Sequence, residues 1–453
     1  MNIIIIGCGK VGRELARQLS KDNNDVTVVD TNPEIVRNVS TLYDVMGVTG
    51  NGTSFEVLAA AGVSQADVVI AVTVSDEVNL LCCVMARKQS GCTTIARVSN
   101  PIYSKESNYL SAELGVSMIV NPAYSGAREV ASLFRFPSAI DILSFARNKA
   151  DLVRFRVPVN SPLKGTALKN IPYKLANKFL ICMVKRKDEI FIPDGNYVIS
   201  VGDIISVVTR PDQMDSFFAN LGLRTDHVRN AVIVGGSKMT YYLVHMLSDQ
   251  NIKVTVIEKD AKKAAEMAEQ LPEATVLCGD GTDFDFLRDE HLDRMDAMLA
   301  STSLDEENII LSLFARGMVR YKIVTKIDHL EKAEVIDKLD IDSVVSPKML
   351  MAELILRLVR ATANSQGSNV EKLYKMYGGR VEAVEFYIQE DSPVADIPLS
   401  KLKLKPSVLV AGIVRDGQLI IPIGSDVIKA GDSVIIVTTI SGFRDVKDIL
   451  KQK

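Results

Sequence analysis

The chain has 453 residues, of which 47% are hydrophobic and 24% are charged, and its formal net charge is −3. This balance argues against the basic surface of a nucleic-acid-binding protein, and no stretch approaches the roughly 18 continuous apolar residues of a membrane span. An apolar strand begins at Ile3, which leaves no room for a signal peptide. The six cysteines form no CxxC pair and no zinc spacing. We therefore expect a cytoplasmic protein of several domains.

The first 136 residues alternate apolar strands with helical patterns. Near-continuous runs of isoleucine and valine are typical of strands that are buried on both faces. The alternation predicts a Rossmann-like, doubly wound parallel sheet with helices on both sides, which we call N1. Its predicted strands cover residues 2–7, 26–30, 45–49, 68–72, 94–98 and 118–120.

Shorter strands separated by turns follow, and they predict a small α+β lobe, C1, over residues 137–226. Both patterns then recur, so that residues 227–368 form lobe N2 and residues 369–453 form lobe C2, with linkers near 223–229 and 363–369. Landmarks of the two halves are related by an offset of 228 or 229 residues. The sequence is therefore a duplicated unit, which is unlike the usual enzyme plan of one nucleotide lobe and one catalytic lobe.

A glycine fingerprint, Gly7-Cys8-Gly9-Lys10-Val11-Gly12, follows the first predicted strand and opens a helix. Gly7 permits a tight turn, Gly9 allows phosphate to approach the backbone, and Gly12 lets the helix lie close to the sheet. Asp30 ends the second predicted strand, where its carboxylate can accept hydrogen bonds from both ribose hydroxyls and disfavour a 2′-phosphate. N1 is therefore predicted to bind a nucleotide.

The second copy of the fingerprint, Gly235-Gly236-Ser237-Lys238-Met239-Thr240, departs from the glycine pattern. Ser237 stands where the phosphate-facing glycine is expected, although its hydroxyl could itself donate, and Thr240 replaces the helix-packing glycine. Glu258 keeps the acidic position at the end of the second strand. The sequence leaves open whether N2 binds a nucleotide or is a structural lobe.

The loop after the third strand also recurs, as Gly50-Asn51-Gly52-Thr53 and Gly279-Asp280-Gly281-Thr282. It lies at the sheet edge where an adenine would bind, which makes Asn51, Gly52, Asp280 and Gly281 candidate contacts. The alternative is that Thr53 and Thr282 cap the following helices. Both roles are compatible.

Two further positions at this edge recur in both halves. Thr73-Val74 and Thr302 end the fourth strands, and the acidic residues that follow could either contact ligand or complement the helix dipole. Arg97 and Lys326 end the fifth strands, where each could sense phosphate or form a surface ion pair.

The duplicated order of these motifs resembles the TrkA family, whose members carry two tandem units called RCK or KTN domains. The resemblance implies a peripheral subunit on the cytoplasmic face of the cell membrane that gates a Trk-type or Ktr-type potassium transporter. It also implies NAD(H) or ATP and ADP as regulatory ligands, and a homo-oligomeric ring of RCK lobes, as a tetramer. By position, the N1 ligand contacts Gly7 to Val11, Asp30, Thr73-Val74 and Arg97, and the N2 ligand contacts Gly235 to Met239, Glu258, Thr302 and Lys326.

Two other functions remain as alternatives. An NAD-dependent oxidoreductase needs an acid–base group in a second lobe, and neither C lobe carries a histidine-based or Ser-Tyr-Lys constellation. A sensor that binds a cyclic dinucleotide or a divalent cation in its C lobes is also possible. We predict that the chain is not an enzyme, and that the apolar helices near 126–134 and 347–359 pack against another lobe, within the chain or in a ring.

Overall fold

The computed structural model describes residues 1–22, 24–171, 178–223, 227–328, 339, 341, 343–364, 370–443 and 445–451. The predicted linkers at 223–229 and 363–369, and the predicted boundaries after residues 226 and 368, lie partly or wholly outside the described residues. Four sheets follow one another along the chain, two parallel and two antiparallel. The predicted fold class is therefore confirmed.

N1 is built on a six-stranded parallel sheet with the order β3-β2-β1-β4-β5-β6. Its strands are β1 Asn2–Ile6, β2 Asp25–Asp30, β3 Met46–Thr49, β4 Val68–Ala71, β5 Thr93–Arg97 and β6 Met118–Val120. Its helices are α1 Lys10–Lys21, α2 Pro33–Tyr43, α3 Phe55–Ala60, α4 Asp76–Ser90, α5 Pro101–Lys105, α6 Ser107–Leu114 and α7 Pro122–Arg135.

Local chemistry sets several of these helix starts. The side chains of Asn32, Ser75 and Asn121 accept hydrogen bonds from N–H groups in the first turns of α2, α4 and α7. Proline follows the cap in α2 and α7, where the missing N–H group costs no helical hydrogen bond. Gly91 ends α4 in the left-handed conformation.

N2 repeats this architecture with the strand order β14-β13-β12-β15-β16-β17. Its strands are β12 Asn230–Val234, β13 Lys253–Glu258, β14 Ala274–Cys278, β15 Ala297–Ala300, β16 Lys322–Lys326 and β17 Ser343–Val345. Its described helices are α9 Lys238–Asp249, α10 Ala261–Gln270, α11 Phe284–Asp289, α12 Asp305–Ala315 and α13 Pro347–Asn364.

The two C lobes are five-stranded antiparallel sheets with matching topology, β10-β9-β11-β8-β7 and β21-β20-β22-β19-β18. C1 contains β7 Ala139–Phe145, β8 Ala150–Arg156, β9 Phe179–Arg186, β10 Glu189–Phe191, β11 Ile204–Thr209 and α8 Met214–Asn220. C2 contains β18 Val370–Met376, β19 Val381–Tyr387, β20 Val408–Arg415, β21 Gln418–Ile420 and β22 Ser433–Thr438. β7 and β18 were not among the strands predicted from the sequence.

The two halves exchange their long apolar helices. From the end of N1, α7 packs on α9 of N2, and Ala127, Val130 and Phe134 share a buried core with Ile233 and Leu243. Gly126 marks the closest approach, since a Cβ atom there would lie 2.8 Å from Cγ of Pro347 and 2.9 Å from Sδ of Met239.

The reciprocal contact is made by α13 at the end of N2, which packs on α1 of N1. Met351, Ile355 and Val359 are buried with Ile5 and Leu15. An ion pair between Arg360 and Asp22, with Nη2 and Oδ2 2.8 Å apart, closes the far end of the contact. The sequence left open whether these two helices pack within the chain or in a ring. In the structure both are buried within the chain.

C1 and C2 pack against each other through a shared core that includes Phe145, Met183, Met376 and Ala411. The hydroxyl of Tyr374 donates to the carbonyl oxygen of Ser144 at 3.2 Å across this contact. Each half therefore holds the other at the N lobes and again at the C lobes. No helix of the described part of the chain is long and apolar enough to cross a membrane.

Candidate nucleotide sites

The predicted residues of N1 gather at one edge of its sheet. The strand order reverses next to β1, which lies between β2 and β4. In open parallel sheets, ligands bind in the crevice at the carboxyl ends of the strands at such a point. The predicted residues follow those ends: Gly7–Gly12 after β1, Asp30 at the end of β2, Asn51-Gly52 after β3, Thr73-Val74 after β4 and Arg97 at the end of β5.

Two glycines allow the loops at this edge to pack closely. Gly7 has a φ of +99°, and a Cβ atom there would lie 2.9 Å from the backbone nitrogen of Thr73. A Cβ atom on Gly52 would lie 2.4 Å from Cγ2 of Ile6. The loops after β1, β3 and β4 therefore meet without intervening side chains.

The first turn of α1 is not capped by a side chain. Gly9 occupies the N-cap position and makes no such hydrogen bond, and no described heavy atom comes within 4 Å of its ideal Cβ position. Gly12 lies against the same loop, because a Cβ atom there would be 1.9 Å from the carbonyl oxygen of Gly7. Val11 is buried in the core, so its side chain does not face the crevice. The N–H groups of this turn and the helix dipole suit a phosphate.

Asp30 presents a partly exposed carboxylate beside this turn. Its Oδ2 accepts the N–H group of Cys8 at 2.7 Å, and its Oδ1 accepts that of Asn32 at 3.0 Å. Each oxygen keeps a lone pair that a ribose hydroxyl can use. Burial, together with the charge of Asp30, raises the pKa of the Cys8 thiol to about 12, so the thiol stays protonated.

The loop after β3 is closed by Asn51, whose Oδ1 accepts both the N–H group and the hydroxyl of Thr53 at 3.0 Å. The prediction that Thr53 and Thr282 cap the following helices is wrong. The N-cap positions of α3 and α11 fall one residue later, at Ser54 and Asp283.

A fully buried asparagine that the sequence analysis did not select organises the ends of β4 and β5. Oδ1 of Asn79 accepts the N–H group and the hydroxyl of Thr73 at 2.8 and 2.7 Å, and its amide donates to the carbonyl oxygen of Arg97 at 2.9 Å. Nη1 of Arg97 donates to the carbonyl oxygen of Thr73, also at 2.9 Å. Val74 beside them is 94% exposed.

Arg97 and its counterpart Lys326 contact backbone rather than forming surface ion pairs. Nζ of Lys326 donates to the carbonyl oxygen of Thr302 at 3.0 Å, as Arg97 does to Thr73. Burial lowers the pKa of both cations. Asn308 repeats the role of Asn79, with Oδ1 2.7 Å from the backbone nitrogen of Thr302.

The first turn of α4 links N1 to the other half of the chain. Oδ2 of the buried Asp76 accepts the N–H groups of Ser99 and Asn100 at 3.0 and 2.8 Å. Nζ of Lys238, a predicted N2 ligand contact, lies 3.8 Å from the same oxygen. This fingerprint lysine therefore reaches the edge of the N1 site. The amide of Asn121 adds a second contact between halves, 3.0 Å from the hydroxyl of Tyr242.

In N2 the fingerprint loop is held by its own side chains. Oγ of Ser237 accepts the N–H group of Thr240 at 3.2 Å and thereby caps α9. The hydroxyl of Thr240 donates to the carbonyl oxygen of Gly235 at 2.8 Å. Met239 is buried in the core, as Val11 is in N1.

The acidic residues of N2 are paired with lysines. Oε2 of Glu258 accepts the N–H group of Gly236 at 2.9 Å and lies 2.7 Å from Nζ of Lys263. Burial opposes ionisation of Glu258, but the hydrogen bonds from the Asp260 N–H group, Lys263 and Gly236 outweigh it and lower its pKa. Asp280, beside Gly281, closes its own loop and lies 2.6 Å from Nζ of Lys259, which lowers its pKa to about 2.

The fold and these loops define a class of protein: a tandem chain with two Rossmann-type lobes, each followed by a small antiparallel lobe. The TrkA-N domain family matches residues 3–122 and 231–347, and the TrkA-C domain family matches residues 152–222 and 383–451. The chain belongs to the TrkA family.

Curated relatives match over all or nearly all of their length. The Trk system potassium uptake protein TrkA homolog 1 of Methanosarcina mazei is 32% identical over 459 residues, covering 100% of both chains. The TrkA protein of Vibrio alginolyticus is 29% identical, covering 96% of this chain and 95% of its own.

Solved structures show the same fold at lower identity. The GsuK channel bound to NAD has a TM-score of 0.62 and 18% identity, covering 96% of this chain and 76% of its own. GsuK bound to ADP has a TM-score of 0.50 and covers 79% of this chain and 69% of its own.

Proposed function

We propose that this chain is a nucleotide-responsive regulatory subunit of a Trk-type or Ktr-type potassium transporter, and that NAD(H) or ATP and ADP bind to N1. The observation that carries the proposal is the N1 crevice, where an uncapped helix N-terminus faces a carboxylate with free lone pairs. The names of the full-length relatives support the potassium-transport role. The GsuK structures with NAD and ADP support the ligand class.

Contacts between the halves would transmit the effect of a ligand bound in N1 to the rest of the molecule. A ligand shifts a conformational equilibrium only when it binds one arrangement more tightly than another. The ammonium of Lys238 lies 3.8 Å from the Asp76 carboxylate at the N1 edge. A bound phosphate there would change the electrostatic potential at both groups. In this proposal, N1 occupancy alters the position of N2, and with it the gate of the membrane partner.

In this proposal, four copies of the chain form a ring of RCK lobes on the cytoplasmic face of the membrane. Leu81 on α4 is 49% exposed, and Ile310, its counterpart at an offset of 229, is 55% exposed on α12. Exposed apolar side chains at matching positions of both N lobes favour contact with further copies. Two such faces per chain permit a closed ring.

The proposal includes no catalytic step. The thiol within the fingerprint is buried and protonated, because its pKa is raised to about 12, and it is a poor nucleophile in that state. The curated relatives are named as potassium uptake proteins. Turnover of a nicotinamide cofactor with any substrate would favour the oxidoreductase alternative instead.

The proposal is tested by calorimetric titration of the full-length protein with NADH, NAD, NADPH, ATP and ADP. We expect nucleotides with an unphosphorylated ribose to bind, and Asp30→Ala to weaken that binding by roughly tenfold or more, because charge-assisted hydrogen bonds to ribose are lost. Asp25→Ala, an exposed change at the start of the same strand, is the control. Absence of binding by all five nucleotides contradicts the proposal.

A further inference from the structure

The two N lobes differ in what occupies the hydrogen-bonding groups of their fingerprints. In N1, Gly9 provides no side-chain cap for α1. In N2, the equivalent Ser237 accepts the N–H group of Thr240, and its hydroxyl lies 3.1 Å from that of Thr240. One N–H donor that would meet a phosphate in N1 is therefore already satisfied in N2.

The acidic positions differ in the same way. The contacts of Asp30 are two backbone N–H groups. Glu258 makes the equivalent two contacts and in addition meets the ammonium of Lys263 at 2.7 Å. Glu258 is only 8% exposed, so its carboxylate is largely enclosed and already has a cationic partner.

The repeat identifies which residues make the difference. At an offset of 228, Lys263 corresponds to Ile35 and Lys259 corresponds to Thr31, neither of which is a cation. Lys259 lies 2.6 Å from Asp280, the acidic residue of the next loop. N2 has thus gained internal partners at both of its acidic positions and at its helix N-terminus.

We infer that N2 is a self-satisfied copy of the nucleotide site, in which Ser237 and Lys263 take the hydrogen-bonding positions that ligand takes in N1. Each chain then binds one nucleotide, in N1, and N2 responds to that ligand without binding its own. This assignment of one ligand per chain rests on the proposed function of N1.

The contacts that a nucleotide would have to displace set how much weaker its binding to N2 is than its binding to N1. A hydrogen bond to a charged group that is exchanged without gain lowers affinity by roughly tenfold or more. The Lys263–Glu258 contact and the Ser237 cap act on the ribose and phosphate ends of the same ligand. Their combined effect therefore places N2 binding outside the concentration range in which N1 is filled.

The experiment restores the N1 residues in N2. Ser237→Gly with Lys263→Ile is introduced into the full chain that also carries Asp30→Ala, so that N1 does not contribute. Titration with NADH and with ADP measures the number of sites. Lys262→Ile, on the exposed side of the same helix, replaces Lys263→Ile in the control protein.

We expect one site per chain in the wild type and no site filled over the same concentration range in the Asp30→Ala protein. One site should return in the restored protein only, with an affinity tenfold or more above that of the Asp30→Ala protein. Two sites of similar affinity in the wild type would overturn the inference and leave the proposed function intact. Failure of the restored protein to bind, while its thermal unfolding stays cooperative, would also overturn it. A wild type that does not bind, with a restored protein that does, contradicts the function of N1 and the count of one ligand per chain, and supports only the blocking of N2 by Ser237 and Lys263.

Discussion

Gly12 and Thr240 occupy the same position in the two N lobes and are not interchangeable. A Cβ atom on Gly12 would lie 1.9 Å from the carbonyl oxygen of Gly7, whereas Thr240 donates its hydroxyl to the equivalent oxygen of Gly235. The N2 loop has therefore opened enough to accept a side chain. In N1 the closer contact brings the fingerprint loop onto the helix.

We expect Gly12→Ala to destabilise the protein by about 2 kcal/mol, because the added methyl group forces the fingerprint loop away from α1. Nucleotide binding should be lost at the same time. Chemical denaturation and calorimetric titration measure the two effects. The control is Thr240→Ala, which removes one hydrogen bond and should cost about 1 kcal/mol. Equal effects of the two changes would contradict this account.

The sequence pattern predicted many of the site residues but not the hydrogen bonds and ion pairs between them. Asn79 and Asn308 belong to a repeat that was visible in the sequence, yet their role depends on β4 and β5 lying side by side. The approach of Lys238 to Asp76 joins residues from different lobes. A local sequence pattern cannot predict a contact between residues that lie so far apart in the chain.

At the scale of elements, α4 and α12 present related faces. Val84 and Met85 lie one turn after the exposed Leu81 on α4, and Leu313 and Phe314 lie one turn after Ile310 on α12. Leu81, Ile310 and Leu313 are exposed, whereas Val84, Met85 and Phe314 are partly buried against the cores of their own lobes. The buried Cys83 is replaced by serine in the repeat. Core packing accounts for Val84, Met85 and Phe314, whereas the exposed Leu81 and Ile310 are the side chains that the proposed ring would cover.

We expect Leu81→Glu together with Ile310→Glu to dissociate the oligomer, because each introduces a charge into an apolar contact. Light scattering of the full-length protein measures the mass. Lys88→Glu, an exposed change on α4, should leave the mass unchanged. A wild type that is strictly monomeric at micromolar concentration would refute the ring.

The elements that the sequence did not predict lie where the halves meet. β7 and β18 mix apolar and charged residues, including Asp141, Glu371 and Lys372. Lys372 donates to the carbonyl oxygen of Ser144 in the other C lobe. Asp141 pairs with Arg154 on the neighbouring strand β8, whereas the Lys372 contact crosses between the lobes. With charged residues at these positions, neither strand shows the apolar alternation that identifies a strand in isolation.

At the scale of the molecule, two carboxylates lie where the exchanged helices meet. Burial, reinforced by Glu353 and Asp141, raises the pKa of Glu129 on α7 from 4.5 to about 8. Burial also raises the pKa of Glu353 on α13 to about 7, against the opposing effect of Lys372. The folded protein therefore binds protons here that the unfolded chain has released.

The contribution of these carboxylates to the free energy of unfolding is greatest below about pH 4.5 and is lost as the pH rises to 8. We expect Glu129→Gln with Glu353→Gln to raise the free energy of unfolding at pH 8 by about 1 kcal/mol or more relative to its effect at pH 5. Urea denaturation at the two pH values measures the difference. Glu113→Gln, exposed on α6, should show none. A pH-independent effect of the double change would contradict the assignment.

The exchange of α7 and α13 bears on the ancestry of the chain. A separate half would leave its own apolar helix uncovered and the face of its N lobe unfilled. The two halves therefore cover each other as the two subunits of a homodimer would, and two separate identical subunits would have to carry the same fingerprint. A single polypeptide has no such constraint, and in this chain the two fingerprints differ.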